Sequence, residues 1–290
     1  MLHFVLNPTS GGKHGKKFLR TFNTIKARLD ERGVQYSFHY TNGKGSAKAL
    51  TEELIKNGAT TIVAVGGDGT LHEVINGFSD FDKVSMGIIP CGTGNDFASA
   101  LSIPFNPKAA VDLIIDGEAK HTDFMQMPGV RGLNIIGTGI DVDVLKRYAK
   151  LKSKTKFGYT LCLIKTLLKF EYYFFKSIVN GKEKDHKCFI VAIANGTQYG
   201  GGLKICPTAS VSDGKLDFVT IGAMPKPKII GAVLKIKKGT TDKIKQYSHE
   251  QTEKVVIKTD KPCTVNIDGE LYENIPFEVE IVKNKLRIYR

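Results

Sequence analysis

The 290-residue chain contains few cysteines for its length. There are five, they lie far apart, and no two form a Cys-x-x-Cys pair. A disulfide framework or a cysteine-based zinc cluster is therefore not expected. The seven histidines are also scattered and show no metal-ligand spacing. This cysteine usage favours a reducing cytoplasm.

Long apolar runs are also missing. A membrane-spanning helix needs about 20 uninterrupted apolar residues. The nearest approach, residues 157–175, is interrupted by Lys165, Lys169 and Glu171. The apolar N-terminal stretch ends after a few residues at Asn7, which is too short for a signal peptide. The sequence therefore predicts a soluble protein.

Acidic residues are outnumbered, with 29 Asp and Glu against 42 Lys and Arg. Residues 146–176 include nine basic residues and one acid, and residues 226–245 include seven lysines and one acid. Aromatic and aliphatic residues interrupt the first stretch, and aliphatic residues interrupt the second. Such a pattern is typical of an interfacial helix on an anionic membrane, and also of a solvated lysine face over a core helix. No motif supports nucleic-acid binding.

The chain is long for one domain, and the pattern of predicted secondary structure changes near residue 120. Before that point strands alternate with helices, as in the β-branched run 61–65 and the helical spacing of Phe18, Phe22, Ile25 and Leu29. This alternation predicts a parallel sheet covered on both faces. After it, short strands are joined by turns at Pro128-Gly129, Asn180-Gly181, Asp213-Gly214, Lys261-Pro262 and Asp268-Gly269, which predict an antiparallel β-domain.

Three glycine-rich polar loops follow predicted strands of the first domain, at residues 7–12, 66–70 and 91–96. The carboxyl ends of parallel strands meet at one edge of a sheet, where ligands bind. Glycines let the backbone approach a phosphate, and the N–H groups of a helix N-terminus attract it. One such loop is equally compatible with a tight turn, but three at one edge favour phosphate binding.

Asp68 is the unusual member of these loops, because its carboxylate would repel a phosphate unless a cation lies between them. Mg²⁺ has this position in phosphoryl transfer, held by one or two carboxylates and by phosphate oxygens. Asp96, in the neighbouring loop, is the candidate second carboxylate. The alternative role for Asp68 is an Asx-turn or a helix cap.

Five motifs follow one another along the chain: Asn7-Pro-Thr-Ser-Gly, Gly66-Gly-Asp-Gly-Thr, Pro90-Cys-Gly-Thr-Gly-Asn-Asp-Phe, Asp213-Gly-Lys-Leu-Asp and Asp268-Gly-Glu. Together they resemble the diacylglycerol kinase catalytic-domain family, and more closely its bacterial soluble lipid kinases, which are related to sphingosine and ceramide kinases. The loop at residues 66–70 alone would be shared with NAD kinases and phosphofructokinases, and the later motifs make the resemblance specific.

The resemblance implies an α/β plus all-β fold. An N-terminal three-layer Rossmann-like nucleotide domain would span residues 1–122 and include about 280–290, and a C-terminal antiparallel β-sandwich would span 123–279, with the active site in the cleft between them. The implied reaction is ATP-dependent phosphorylation of diacylglycerol to phosphatidic acid by a cytoplasmic enzyme at the inner face of the membrane. Phosphatidylglycerol or a sphingoid lipid as acceptor, a non-catalytic nucleotide- and membrane-binding regulator, and a homodimer stay open.

The resemblance also implies roles for single residues. Asp68 would organise a catalytic Mg²⁺, supported by Asp96 and Asp123, and Glu270 would be the general base, with Asp268 beside it. Asp213, with backbone carbonyls of Ser210 and Lys215, would hold a structural Mg²⁺. The implied ATP-binding residues are Asn7, Thr9, Ser10, Gly11, Thr41, Gly66, Gly67, Asp68, Gly69, Thr70, Leu71, His72, Glu73, Thr93 and Asn95.

Overall fold

The computed structural model describes residues 1–10, 16–151, 156–167, 170–260 and 263–290. The chain folds into two compact units. The first consists of Met1–Asp123 together with Asn284–Arg290, and the second of Phe124–Lys283. Within the described residues, no helix combines the length and the apolar character needed to cross a membrane.

Strands and helices alternate in the first unit. They are β1 (Leu2–Leu6), α1 (Lys16–Glu31), β2 (Tyr36–Tyr40), α2 (Ser46–Lys56), β3 (Thr61–Gly66), α3 (Asp68–Gly77), β4 (Ser85–Pro90), α4 (Asp96–Ala100) and α5 (Pro107–Asp116). The strands form a parallel sheet in the order β2-β1-β3-β4. Near the C-terminus, Arg287 pairs in parallel with Ser85 of β4. The predicted strand at 61–65 lies within β3, which is buried throughout, as a central strand covered on both faces should be.

Helices pack against this sheet in two groups. Helices α1 and α5 share one buried cluster with the strands, to which Ile25, Leu29 and Val111 contribute. Helices α2 and α3 contact β1 and β3 outside that cluster, and they also contact each other. Their close approach requires Gly77, since a Cβ there would lie 2.8 Å from the Cβ of Thr51.

Strands predominate in the second unit. The elements are β5 (Ala119–Met127, from Phe124 onward in this unit), β6 (Val130–Gly132), β7 (Ile135–Gly139), α6 (Ile140–Ala149), α7 (Lys156–Leu167), β8 (Tyr173–Val179), β9 (Lys182–Ala194), β10 (Leu216–Gly222), α8 (Lys226–Lys238), a 3₁₀ turn (Thr241–Lys243), β11 (Tyr247–Thr252), β12 (Lys254–Lys258), β13 (Thr264–Ile267), β14 (Glu270–Glu273) and β15 (Glu278–Tyr289, up to Lys283 in this unit). The pairs β14-β13-β7-β9-β8-β12-β15 are antiparallel, and β10 lies between β9 and β11.

The predicted turns at Asn180-Gly181 and Asp268-Gly269 are confirmed. They connect β8 to β9 and β13 to β14, and all four residues have positive φ (49° and 74°, 53° and 96°). Two consecutive residues of positive φ are typical of the two-residue turns that match the twist of a hairpin. The turn predicted at Lys261-Pro262 lies outside the described residues.

The sequence of β9 is continuously apolar from Cys188 to Ala194, and the packing of its two faces explains why. Ile190 and Ala192 pack into a cluster shared with α6, α7 and α8. Val191 and Ile193 pack into a second cluster with β12, β13 and β15. Both faces of the strand are therefore buried, which removes the polar alternation of a one-sided strand.

Candidate functional site

The three glycine-rich loops meet at the carboxyl ends of β1, β3 and β4. The N–H of Asn7 donates to the carbonyl of Val65, with an N···O distance of 3.1 Å, and the N–H of Cys91 donates to the carbonyl of Gly66 at 2.8 Å. Thr41, just after β2, donates its N–H to the carbonyl of Leu6 at 2.8 Å. The structure therefore brings the candidate phosphate loops to one edge of the sheet.

Two of these loops approach each other so closely that side chains are excluded. A Cβ on Gly67 would lie 2.9 Å from the Cα of Gly92. Asn95, in the left-handed conformation with φ 55°, fixes the third loop, at residues 91–96. Its Oδ1 accepts from the N–H of Gly92 at 2.8 Å, and its Nδ2 donates to the Gly92 carbonyl at 3.1 Å. The side chain of Asn95 thus stabilises the conformation of this loop.

Asp68 and Asp96 direct carboxylate oxygens toward the same glycine. A Cβ built on Gly94 would lie 2.9 Å from Oδ2 of Asp68 and 3.3 Å from Oδ2 of Asp96. Asp68 is the first residue of α3, and its Oδ1 accepts from the N–H of Phe97 at 3.2 Å. Two carboxylate oxygens bordering one small space are a donor set that suits Mg²⁺. The fit holds for these residues, and Asp68 also stabilises the start of α4.

The side chains of the first loop connect it to α3. Nδ2 of Asn7 donates to Oγ1 of Thr70 at 3.1 Å, while Oδ1 of Asn7 accepts from the N–H and the hydroxyl of Thr9 at 3.1 and 2.8 Å. The N–H of Ser10 donates to the Asn7 carbonyl at 3.1 Å. Thr9 is exposed, as Thr93 is in the third loop. Gly11 lies outside the described residues.

Three of the residues proposed for ATP point their side chains elsewhere. Leu71 and His72 are buried within unit one, so only their backbone can face a phosphate. The carboxylate of Glu73 accepts from the N–H of Gly45 at 2.8 Å and from that of Ala47 at 2.9 Å. These N–H groups belong to the start of α2, so Glu73 caps a neighbouring helix.

Lys17 is a candidate that the sequence prediction missed. Its Nζ donates to the carbonyl of Gly92 at 2.9 Å, from the first turn of α1. A lysine that follows a glycine-rich loop is a common phosphate ligand, and this position in the sequence could have identified Lys17. A Walker A loop requires Ser or Thr directly after its lysine, and Lys17 stands in that position after Lys16, so the sequence analysis assigned Lys17 no role.

Asp123 is fully buried where β5 meets the C-terminal segment of unit one. Its Oδ1 accepts from the N–H of Asn284 at 2.7 Å. The side chain therefore fixes the returning C-terminal strand. Its suggested part in supporting a metal remains a proposal.

In the second unit, Asp268 holds a neighbouring segment in place. Its carboxylate accepts from the N–H groups of Leu133 at 2.7 Å, Asn134 at 2.8 Å and Ile135 at 3.1 Å. Glu270 follows it as the first residue of β14 and is partly exposed. The Asp268 carboxylate thus positions residues 133–135, and Glu270 keeps its place as the candidate for proton transfer that the sequence predicts.

Asp141 is linked by hydrogen bonds to the β13–β14 hairpin, which carries Asp268. It accepts from Nδ2 of Asn266 at 2.8 Å, and Oδ1 of Asn266 accepts from the N–H of Gly269 at 2.8 Å. Burial raises the pKa of Asp141 to about 6. No sequence motif includes Asp141, because its contact with Asn266 and its burial depend on how distant segments pack.

Asp213 forms a local turn at the surface. Its Oδ1 accepts from the N–H of Lys215 at 3.0 Å, and its Oδ2 accepts from Nε2 of Gln251 at 3.3 Å. Ser210 lies nearby in the chain and is partly buried. These contacts fit an Asx-turn, so the structural Mg²⁺ at this position stays a proposal.

The second basic stretch forms α8, an amphipathic helix. Its inner face buries Ile229, Ala232 and Ile236, while Ile230 and Leu234 are 56% and 54% exposed. The exposed pair lies one turn apart, among lysines at both ends of the helix. Exposed aliphatic residues bordered by cations are one feature of an interfacial helix.

The first basic stretch surrounds a cavity of about 550 Å³ next to α6 and α7. Lys152 and Lys154 lie outside the described residues. The wall combines four cations with apolar side chains: Lys146, Arg147, Lys150, Lys165, Leu161 and Phe170.

Two family models match the chain along most of its length. The diacylglycerol kinase catalytic domain matches residues 1–127, and the YegS C-terminal NAD kinase beta sandwich-like domain matches residues 134–290. These ranges cover both units and confirm the predicted α/β domain followed by an antiparallel β-sandwich.

Similarity to known proteins extends over almost the whole chain. A diacylglycerol kinase of Mycobacterium tuberculosis is 28% identical over 292 residues, covering 98% of this chain and 93% of its own. A diacylglycerol kinase of Bacillus subtilis is 29% identical over 288 residues, covering 94% and 91%.

Solved structures share the fold. The crystal structure of a diacylglycerol kinase from Bacillus anthracis superposes with a TM-score of 0.72 at 21% identity, over 99% of this chain and 96% of that one. An NAD kinase from Archaeoglobus fulgidus in complex with ATP superposes with a TM-score of 0.50 at 16% identity, over 99% and 92%.

Proposed function

Because this chain belongs to the diacylglycerol kinase catalytic-domain family and is a lipid kinase, we propose that it transfers the γ-phosphoryl group of ATP to the hydroxyl of diacylglycerol, giving phosphatidic acid and ADP. The observation that carries this proposal is the convergence of Asp68 and Asp96 on Gly94 within three phosphate-type loops. Two relatives that match almost the whole chain are named diacylglycerol kinases, which supports diacylglycerol as acceptor.

ATP binding is assigned to the loop backbones. Gly67 and Gly92 let the second and third loops pack against each other at the sheet edge, and the first N–H groups of α3 attract negative charge. Lys17 adds a cation beside the third loop. Thr9 and Thr93 provide exposed hydroxyl groups at the rim.

Asp68 and Asp96 would hold Mg²⁺ through their Oδ2 atoms. When bound, the ion neutralises charge on the phosphate oxygens during transfer. The hydrogen bond from Phe97 to Asp68 orients that carboxylate before any ligand arrives. Pre-orientation matters because electrostatic stabilisation costs least when the groups need not reorganise.

Glu270 is the general base in this proposal. A lipid hydroxyl is a poor nucleophile, so a carboxylate must accept its proton as the oxygen bonds to the γ-phosphorus and the bond to ADP breaks. Asp268 acts as a positioning residue, since its carboxylate holds residues 133–135 and so fixes the hairpin that carries Glu270.

We also propose that the enzyme binds peripherally to an anionic membrane on the cytoplasmic side. The exposed Ile230 and Leu234 would enter the interface, while the lysines of α8 contact lipid phosphates. The acceptor is itself a bilayer lipid, so such contact would raise its local concentration.

The test is phosphoryl transfer from labelled ATP to separate mixed micelles of diacylglycerol, phosphatidylglycerol or a sphingoid base, with identification of the products. We expect label in phosphatidic acid and dependence on Mg²⁺. Labelling of another lipid alone would refute the acceptor, and labelling of none would favour a non-catalytic regulator.

A further inference from the structure

Three side chains of the second unit that the kinase reaction does not use meet at one point. The Sγ of Cys206, a carboxylate oxygen of Asp217 and a ring nitrogen of His249 all lie within 4.8 Å of one another. Cys206 lies in the loop before β10, Asp217 on β10 and His249 on β11. Because the residues are 11 and 32 positions apart, no spacing in the sequence reveals them, and the sequence predicted no zinc site.

Strand register explains how the cluster forms. Asp217 pairs with Gln251 and Val219 pairs with His249, so His249 is diagonal to Asp217 on one face of the sheet. That face is shared with Cys206, which packs with Val219 in a buried cluster. Asp217 and His249 are therefore held by the antiparallel ladder of β10 and β11, and Cys206 by the buried cluster that it shares with Val219.

The same nitrogen of His249 faces both partners. Nε2 lies 2.6 Å from Oδ1 of Asp217 and 3.9 Å from Sγ of Cys206. A Cys-His-Asp catalytic relay would need the thiol and the carboxylate on opposite ring nitrogens, so this geometry does not fit one. Three potential ligand atoms that lie within 4.8 Å of one another are instead compatible with a metal site.

The distances are close to those of tetrahedral zinc. Zn–N of about 2.05 Å, Zn–S of about 2.3 Å and Zn–O of about 2.0 Å place neighbouring N and S atoms ~3.6 Å apart and N and O atoms ~3.3 Å apart. The observed 3.9 Å N···S distance is near that value. The 2.6 Å N···O distance is a hydrogen bond that would lengthen by less than an ångström when a metal replaces its proton.

Asp217 supplies a second observation that points to a cation ligand. It is fully buried, and its Oδ2 has no hydrogen-bond partner among the described residues. Its Oδ1 has two neighbours, His249 and Nε2 of Gln251 at 3.2 Å. A buried carboxylate with an oxygen left unsatisfied is costly, and coordination to a metal removes that cost.

We propose that Cys206, Asp217 and His249 bind one Zn²⁺ ion, with the fourth position occupied by water. Thiolate and imidazole select zinc over the hard ions Mg²⁺ and Ca²⁺, which prefer all-oxygen sites. The ion would join the loop before β10 to the two strands, and so stabilise the second unit against unfolding.

The full-length protein, freed of metal by a chelator, is titrated with Zn²⁺ by calorimetry and with Co²⁺ by absorption spectroscopy. We expect one equivalent of Zn²⁺, a higher melting temperature, and the charge-transfer band of a cobalt thiolate. Cys206→Ser should remove the band and weaken Zn²⁺ binding by ~100-fold or more, since even outer-shell partners cost 10–100-fold.

Two further variants make the result decisive. His249→Gln, at a partly exposed position, should weaken Zn²⁺ binding while circular dichroism stays unchanged. Cys263→Ser removes a cysteine outside the cluster and should bind Zn²⁺ like the wild type. Absence of stoichiometric binding by the wild type, or equal binding by the wild type and folded His249→Gln, would overturn the proposal.

Discussion

Oδ1 of Asp68 accepts a hydrogen bond from the backbone N–H of Phe97, with an N···O distance of 3.2 Å. The loop after β3 and the loop after β4 are therefore joined by the carboxylate whose other oxygen borders Gly94. One side chain both shapes the loops and contributes to the candidate cation site. The roles of helix cap and metal ligand, which are alternatives for Asp68 in the sequence, are compatible in the structure.

Replacing Gly94 by alanine tests the space between the two carboxylates. The new Cβ would lie 2.9 Å from Oδ2 of Asp68 and 3.3 Å from Oδ2 of Asp96, so both oxygens must move. We expect a higher Mg²⁺ requirement and a kcat lowered by ~10-fold or more, with little change in melting temperature, because side-chain ends can shift cheaply. The measurement is the initial rate as a function of Mg²⁺ concentration.

Gly43→Ala is the matched control for that substitution, because a Cβ there meets no atom within 4 Å. It should leave both the rate and the Mg²⁺ requirement unchanged. An unaltered Mg²⁺ requirement in Gly94→Ala would show that the two oxygens do not share a cation.

Glu270→Gln and Asp268→Asn should fail in different ways. The first should lower kcat by ~10²–10⁴-fold while ATP affinity and melting temperature stay near wild type, as for a lost general base. The second should lower the melting temperature as well, because its carboxylate accepts three backbone N–H groups, and charged hydrogen bonds contribute about 1.5–3 kcal/mol each. Steady-state kinetics and thermal unfolding separate the two, and a fully active, folded Glu270→Gln would remove that residue from the reaction.

Stability should depend on pH through Asp141. Its folded-state pKa of about 6 is above the ordinary value of 3.8, so protonation favours the folded state. The stabilisation is present below about pH 4 and is lost as the pH rises through about 6. Asp141→Asn keeps an acceptor for Asn266 and avoids the buried charge, so it should exceed the wild type by roughly 2–3 kcal/mol at pH 7–8.

Melting temperatures from pH 4 to pH 8 test this expectation, with Asp185→Asn as an exposed control. The advantage of Asp141→Asn should shrink toward pH 4. Parallel pH profiles for the wild type and Asp141→Asn would contradict a raised pKa at this position.

Membrane contact through α8 is tested by the double variant Ile230→Ser/Leu234→Ser. Each side chain is already about half covered, so its transfer into the interface should contribute about 1–1.5 kcal/mol. Binding to vesicles rich in anionic lipid should weaken roughly 10- to 100-fold, as cosedimentation would show. Leu19→Ser, at a 57% exposed leucine of α1, should bind like the wild type, and equal binding by all three proteins would exclude α8 as the contact.

The elements of the first unit could be predicted because their signals are local. Apolar spacing marks α1, and a β-branched run marks β3, since each side chain reports the period of its own segment. The hairpin at Asn180-Gly181 was equally readable, because its two residues suit positive φ.

The direction of side chains in the site could not be predicted. Glu73 belongs to the same sequence motif as Asp68, yet its carboxylate caps α2, 26 residues earlier in the chain. Asp141 and His249 likewise acquire their partners from strand pairing and packing. A motif records which residues are near in sequence, whereas these contacts depend on where separate elements meet.

The most direct test of the lipid kinase site is the rate of phosphoryl transfer from ATP to diacylglycerol by Asp68→Asn beside the wild type. Asparagine keeps an oxygen for the Phe97 N–H, so the loops should stay folded, while the negative charge is lost. We expect a rate lowered by ~10²-fold or more at an unchanged melting temperature, with Asp82→Asn, at an exposed aspartate, like the wild type. A folded Asp68→Asn enzyme that phosphorylates diacylglycerol at the wild-type rate would contradict the proposed site.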